Sequence, residues 1–598
     1  MKIKWFSLVR ITGLFLVLLY HFFINTFKGG FIGVDVFFTF SGFLITALLI
    51  DEYYGHQTID AKGFFKRRFY RIVPPVFLML IIIIPLAYLV RDDYRAGLPA
   101  QVAAVIGFVS NFFEQFTGAS YENLTTPHLF VHTWSLAIEM QFYLIWGLGI
   151  WWISKISNSR AAFRQYIFLI SSGLFLISFL TMFISSFFAT SFSQIYYSSI
   201  AHSFPFFIGA TLASLTGVRF PGRILKILSQ KLGIREILGL FAGGLLLLVL
   251  LTVTLSFESI WTYIIGFIIA SLAAATMILA ARLLHDKTSH IKEPASLVFI
   301  ANTSYCIYLF HWPLYTIFHE KMGQVPAVLL TLVLSFLLAS LSYYIIEPLI
   351  AGKPVIIQKR RLKTKLVTKW LLNMGSVLAV ISLISLLNAP VIGALSKDLL
   401  TGSFIQADKK MDTTRLSVNT DKTNKVKEGA LIIGDSVTEG AMVKLQELLP
   451  DTVVDAAKSR NISSLQEELM PYVASNTLPR TLVIALGTNA SSNYKEILKT
   501  VIANLPKGRH LVLVTPYIGN PENANYAYSE LIASYEKELA DKYEYVSVAD
   551  WHQTATNHPY IWENSDRIHF RSDTQGPELY ATTIKKAIEA SNNLPVKG

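Results

Sequence analysis

The sequence predicts two architectures in one chain: a polytopic α-helical membrane domain of about eleven spans, then a C-terminal α/β domain of three layers. Three observations predict this. Apolar runs of about 20 residues, the length a helix needs to cross the hydrocarbon of a bilayer, recur from the N-terminus to residue 388 and then stop. The 598-residue chain is 53% hydrophobic, with a mean hydropathy of +0.46. After residue 388, strand-like and helix-like runs alternate, as in a mainly parallel sheet covered on both faces.

Charge follows the same division. Residues 1–388 hold 30 Lys/Arg and 15 Asp/Glu, a net +15; residues 389–598 hold 22 and 25, a net −3. The basic balance therefore belongs to the membrane part and is no sign of nucleic-acid binding. Cys306 is the single cysteine, so a disulfide within the chain is impossible. The N-terminus, "MKIKWFSLVRITGLFLVLLYHFF", places basic residues before an apolar stretch, as a signal peptide does. It lacks a small-residue cleavage pattern and more spans follow, so it reads as an uncleaved first helix.

The expected spans lie near 7–27, 30–50, 73–90, 133–153, 165–188, 201–217, 234–256, 260–284, 297–318, 325–347 and 367–388. A twelfth run, 98–113, is shorter and contains Ser110 and Asn111. The positive-inside rule arbitrates. With the N-terminus inside and 98–113 re-entrant or at the surface, the inner segments hold 26 Lys/Arg. The outer loops then hold only Lys28, Arg91, Arg95 and Lys321. If 98–113 spanned, "KPVIIQKRRLKTKLVTK" would lie outside. The first arrangement is expected: a plasma-membrane protein with a cytoplasmic N-terminus and an extracellular C-terminal domain. Its divisions are a membrane domain over 1–350, a basic inner loop and final helix over 351–395, a polar tether over 396–429, and the outer domain over 430–598.

Charged or titratable residues in hydrocarbon cost roughly 2.5–3.5 kcal/mol on insertion scales, which makes each a functional candidate. Four stand out: His21, Asp35, Glu139 and His311. In this topology all four fall in the outer portion of their helices, which favours one shared polar site. Taken singly, His21 and His311 read equally well as hydrogen-bonded helix residues. A second cluster, Arg10, Arg67, Arg68 and Arg71, lies on the inner side. Inner segments are basic anyway; the functional alternative is recognition of a phosphate-bearing donor.

"FSLVRITGLFLVLLYHFF", "GGFIGVDVFFTFSGFLIT", "KRRFYRIVPP", "WSLAIEMQFYLIW" and "SYCIYLFHWPL" resemble, in order, the motifs of the membrane acyltransferase-3 superfamily. The resemblance implies transfer of acyl groups, usually acetyl, to extracytoplasmic sugars from cytoplasmic acetyl-CoA. It assigns importance to His21, Arg10, Arg67, Arg68 and Arg71. The family often has an arginine after "YY" near the sixth span; "IYYSSIAHSFPFF" offers His202 instead. Tyr196 and Tyr197 remain as polar or acyl-relay candidates.

In the outer domain the strand-like runs are "ALIIGDS", "TVVDAA", "TLVIALG", "HLVLVTP" and "YVSVAD", with helices expected near 440–449, 463–474, 494–504, 523–542 and 577–590. Functional groups in such sheets gather at the carboxyl ends of strands. Ser436 follows the first strand, Asn489 the third, and Asp566 and His569 the fifth. A serine nucleophile needs a base and a carboxylate that orients it, which His569 and Asp566 supply. The Ser436 N–H and the Asn489 side chain can stabilise an oxyanion. A Gly-Asp-Ser turn alone is common, Asn489 also fits a helix cap, and His552 and His558 compete with His569. Only His569 has an aspartate three residues upstream.

"GDSV", "GTN" and "DRIH" in this order resemble the SGNH/GDSL esterases over about 428–592. That family's second block normally supplies a glycine N–H to the oxyanion hole; "DAAKSRN" places Ser459 or a neighbour there. The fused order resembles the bacterial peptidoglycan O-acetyltransferases. The resemblance implies acetyl passing from acetyl-CoA through the membrane to Ser436, and then to peptidoglycan at the C6 hydroxyl of N-acetylmuramic acid. Two alternatives stay open: teichoic acid or another surface polysaccharide as acceptor, and an exporter fused to an independent esterase. No bound cofactor, metal or nucleic-acid partner is expected.

Overall fold

Helices occupy all eleven of the expected apolar stretches in a computed structural model, which describes residues 3–117, 128–189, 191–357, 360–361, 364–417, 428–475, 477–521, 523 and 525–598. The chain forms two compact units: Met1–Val90 with Gly97–Ala389, and Arg91–Ala96 with Pro390–Gly598.

Among the described residues of the first unit, eight segments are long and apolar enough to cross a bilayer, beginning with Gly30–His56 and ending with Thr368–Leu387. Phe6–Phe22 and Phe204–Thr216 are apolar but shorter. Ala295–Met322 is long but interrupted by Asn302, Thr303, Ser304 and His311. The third helix departs from expectation. It begins at Ala61 rather than near 73, because Asp60 caps it by accepting from the Gly63 N–H at 2.9 Å. Arg67, Arg68 and Arg71 therefore ride a helix and not a loop.

Residues 98–113 fold as two short helices, Leu98–Ile106 and Ser110–Thr117. Nine residues reach only about 14 Å, half of the hydrocarbon thickness. Neither helix can cross.

Helix Gly33–His56 meets helix Phe204–Thr216 through two glycines. A Cβ on Gly42 would overlap the Phe206 carbonyl, and one on Gly209 would overlap the Thr39 carbonyl. Small residues at such crossings let two backbones touch where no hydrophobic force drives association.

The second unit is built on five parallel strands: β1 (Ala430–Gly434), β2 (Val453–Ala456), β3 (Thr481–Ala485), β4 (His510–Val514) and β5 (Val546–Ala549), in the order β2-β1-β3-β4-β5. Alternate residues feed two cores. Ile432, Val483 and Val512 pack with Met442, Leu445 and Tyr580, while Leu431, Ile484 and Leu511 pack with Leu469, Leu498 and Leu539. Every residue of β1, β3 and β4 is buried, as a sheet covered on both faces requires. β2 and β3 flank β1 on opposite sides, so the strand order reverses at β1. In open parallel sheets such a reversal is where the functional crevice lies, at the carboxyl ends of the strands.

Two further expectations change. The helix after β1 starts at Ser436 itself, as Ser436–Gly440, and continues as Met442–Leu448. The stretch 396–429, expected as an irregular tether, begins as helix Ala394–Ser417; residues 418–427 lie outside the described residues. Its packed face includes Asp398, Gly402 and Gln406, so there is no apolar stripe to read.

Candidate active site

β1 delivers Ser436 to the crevice through a tight turn. A Cβ at Gly434 would overlap the Thr438 side chain, so glycine is needed. Asp435 caps the following helix by accepting from the Val437 N–H at 3.0 Å. The Ser436 hydroxyl lies 2.8 Å from His569 Nε2, and His569 Nδ1 lies 2.7 Å from Asp566 Oδ2. Asp566 Oδ1 also accepts from the backbone N–H groups of Ile568 and His569, at 2.9 and 2.7 Å. These bonds fix the ring so that Nδ1 faces the carboxylate and Nε2 faces the serine. His552 instead meets Glu530 at 2.9 Å, and His558 meets the Thr554 carbonyl at 2.7 Å. His569 is the histidine that reaches Ser436.

Electrostatics matches this geometry. Burial pushes the Asp566 carboxyl up, but the charge of His569 and the hydrogen bonds from His569 and Ile568 outweigh it and hold the group at about 2. Burial pushes His569 down, yet the charge and hydrogen bond of Asp566, aided by Asp435, leave it above its ordinary value. The arrangement can take a proton from the serine hydroxyl and stabilise the imidazolium that results.

Asn489 lies in the loop after β3, beyond Gly487, whose φ of 140° suits glycine. Ser459, in the loop after β2, holds a left-handed φ of 60°. A serine thus occupies backbone that glycine adopts freely, and Arg460 braces it. Its guanidinium donates to the Gly434 carbonyl at 3.2 Å and to the Asp455 carboxylate at 2.8 Å. Sequence reasoning missed a further tie: Asp435 Oδ2 accepts from the Thr488 hydroxyl at 2.5 Å, joining the serine turn to the Asn489 loop.

The four polar residues expected to share one membrane site separate into three places. His21 Nδ1 lies 2.7 Å from His311 Nε2, and His311 Nδ1 donates to the Tyr308 carbonyl at 2.5 Å. Asp35 pairs with His202, Oδ1 to Nε2, at 3.1 Å with both side chains fully buried. Glu139 accepts from Ser41 at 2.5 Å and from Tyr143. It lines a cavity with Arg10, Arg68 and Arg71 instead of joining the histidines. Helix position gives depth, but the neighbour is set by packing, which separates residues of similar depth.

Arg10 donates to Ser304 at 3.1 Å, and Arg68 Nε is buried with no hydrogen-bond partner among the described residues. Such a donor set suits an anionic phosphate group. Arg67 does not join: it is exposed and pairs with Glu52 at 3.3 Å. Tyr196 and Tyr197 also lie off the cavity, packed with Trp134; Tyr143, Tyr305 and Tyr308 line it. His132, missed in the sequence because it falls at a span boundary, donates to the Leu309 carbonyl at 3.0 Å beside His311.

Similarity to known proteins spans both units. The acyltransferase-3 family, described as an acyltransferase domain, matches residues 3–347. The chain is 27% identical to the O-acetyltransferase OatA of Staphylococcus aureus (strain MRSA252), over 96% of this chain and 94% of that protein. It is 26% identical to the peptidoglycan O-acetyltransferase OatA of Listeria monocytogenes, over 80% and 83%. A solved C-terminal catalytic domain of Streptococcus pneumoniae peptidoglycan O-acetyltransferase A is 39% identical, covering 29% of this chain and 99% of that one, with a TM-score of 0.28. The family match takes in more than half of the sequence and every motif from Arg10 to His311, so the chain belongs to the acyltransferase-3 family.

Proposed function

We propose that the chain is a peptidoglycan O-acetyltransferase that draws acetyl from cytoplasmic acetyl-CoA and delivers it outside the cell through Ser436. The observation that carries this reading is the joining of a membrane acyltransferase domain to a C-terminal domain holding Ser436, His569 and Asp566 in one hydrogen-bonded chain. The relatives similar over nearly the whole length are O-acetyltransferases by name.

Arg10, Arg68 and Arg71 hold the donor's phosphates at the cavity, with Glu139 beside them. The acetyl group then passes outward, with His21 and its partner His311 as the titratable pair nearest the route. In the outer domain the Ser436 hydroxyl attacks the acetyl carbonyl carbon while His569 Nε2 takes the proton. The oxyanion meets the N–H groups of Ser436 and Ser459 and the Asn489 side chain. Collapse breaks the bond to the donor, and His569 returns the proton to the leaving group. A sugar hydroxyl, at C6 of N-acetylmuramic acid, attacks the acetyl-serine by the same steps in reverse.

The test is base-labile acetate on purified wall muramic acid. A strain carrying Ser436→Ala is expected to lose it. Intact acetylation would refute the serine step and favour an exporter joined to an independent esterase. Acetate lost from teichoic acid and retained on muramic acid would move the acceptor.

A further inference from the structure

The helix Ala394–Ser417 belongs to the same compact unit as the sheet. Three positions on one face, four residues apart, meet three of the segments that carry the Ser436 site. Asp398 Oδ2 accepts from the Ser572 N–H at 3.0 Å, three residues beyond His569. Gly402 lies against the carbonyl of Glu439, three residues beyond Ser436, so closely that a Cβ would overlap it. Gln406 Oε1 accepts from the Ala456 N–H at 2.9 Å, three residues before Ser459. The spacing 398, 402, 406 is a single helical face. Leu399 and Ile405 add apolar contact beside it, Ile405 against the core under the serine helix.

Each contact falls on a different segment; β1 and β2 pair directly, Gly434 with Ala456, but among the described residues no strand pairing joins either of them to the His569 segment. The serine turn ends β1, the Ser459 loop follows β2, and His569 follows β5 four strands away from β2. A rigid helix that touches all three fixes their mutual spacing. We propose that this helix is a positioning element of the Ser436 site, so that turnover depends on its docking through Asp398, Gly402 and Gln406. The proposal rests on the reading of Ser436 as nucleophile.

The test uses the full-length protein in detergent with 4-nitrophenyl acetate, and counts reactive serines with a fluorophosphonate probe. Gly402→Ala and Gln406→Leu are expected to lower kcat about tenfold at nearly constant KM, with the full count of reactive serines. Gln406→Glu keeps an acceptor oxygen for Ala456 and is expected to recover most of the rate. Ser436→Ala, run alongside, is expected to be inactive and unlabelled. Wild-type turnover in Ser436→Ala would overturn the nucleophile reading. An inactive Ser436→Ala with wild-type turnover in both helix variants would overturn the positioning role alone. A fall in reactive serines that matches the fall in rate would also overturn it, because the helix would then only support folding.

Discussion

The Asp435 carboxylate accepts a 2.5 Å hydrogen bond from the Thr488 hydroxyl, with Asp435 only 2% exposed. One residue precedes Ser436 and the other precedes Asn489. The bond therefore sets the proposed nucleophile against a proposed oxyanion donor. Burial raises the Asp435 carboxyl, against the pull of the Thr488 and Val437 bonds. Hydrogen bonds to charged groups contribute roughly 1.5–3 kcal/mol. Thr488→Val is expected to lower kcat for an artificial acetyl ester about tenfold or more, and Thr488→Ser to restore it. Equal rates in wild type and Thr488→Val would show that the two loops hold their spacing without this bond.

The pH dependence of serine acylation follows from His569. The ring must be neutral at Nε2 to take the proton, and its partners raise it above the ordinary value of 6.5. Acylation is therefore expected to fall as pH drops through a value above 6.5. Asp566 adds no second inflection near neutrality, since it stays ionised down to about 2. Asp566→Asn removes the charge that raises His569. The inflection is expected to move to lower pH, while the maximal rate drops by a factor on the order of 10³ or more. Pre-steady-state release of 4-nitrophenol between pH 5 and 9 reads both. An unmoved inflection in Asp566→Asn would mean that another group titrates.

The C-terminal domain was legible because short, mostly apolar strands of four or five residues end in polar punctuation, and a parallel sheet puts those ends together. Ser436 and Asn489 could be named on that basis, and Asp566 and His569 with the help of their three-residue spacing. The Thr488 tie could not, since a threonine beside a glycine carries no signal of its partner. Helix Ala394–Ser417 was hidden because its buried face uses glycine and polar side chains. In the membrane unit, hydropathy located helices and unexpected charges but not their neighbours. Asp35 and His202 are 167 residues apart in sequence and bonded in space. Glu139 and Arg10 line one cavity although charge counting assigned them to opposite sides.

That Asp35–His202 pair makes a strong prediction about folding. Both side chains are fully buried, and Asp35 Oδ2 has no partner among the described residues. Replacing His202, which packs against Phe38, Trp134 and Tyr196, by leucine would leave the buried Asp35 carboxyl without this partner. Breaking one half of such a pair typically costs 3–5 kcal/mol, while removing both halves costs much less. His202→Leu is expected to lower the thermal midpoint of the detergent-purified protein sharply. Asp35→Asn with His202→Leu is expected to recover most of the loss. A double variant no more stable than the single one would show that the pair is not coupled.

Glu536, on helix Tyr526–Lys542, gives the C-terminal domain a stability that falls as pH rises. It is fully buried, and neither carboxyl oxygen has a hydrogen-bond partner among the described residues. Burial, with the nearby charge of Asp550, pushes the group well above its ordinary value of 4.5. The folded domain therefore keeps this proton after the unfolded chain has released it. With fewer protons bound in the unfolded state, stability is highest below about 4.5, declines as pH rises, and levels off only above the folded value. Glu536→Gln removes the titration and keeps the volume. The variant is expected to match or exceed wild type at pH 8 and to show a flatter dependence between pH 5 and pH 8. Resistance of the C-terminal domain to proteolysis during a temperature ramp measures this. Identical slopes in the two proteins would mean that Glu536 reaches solvent or a partner in solution.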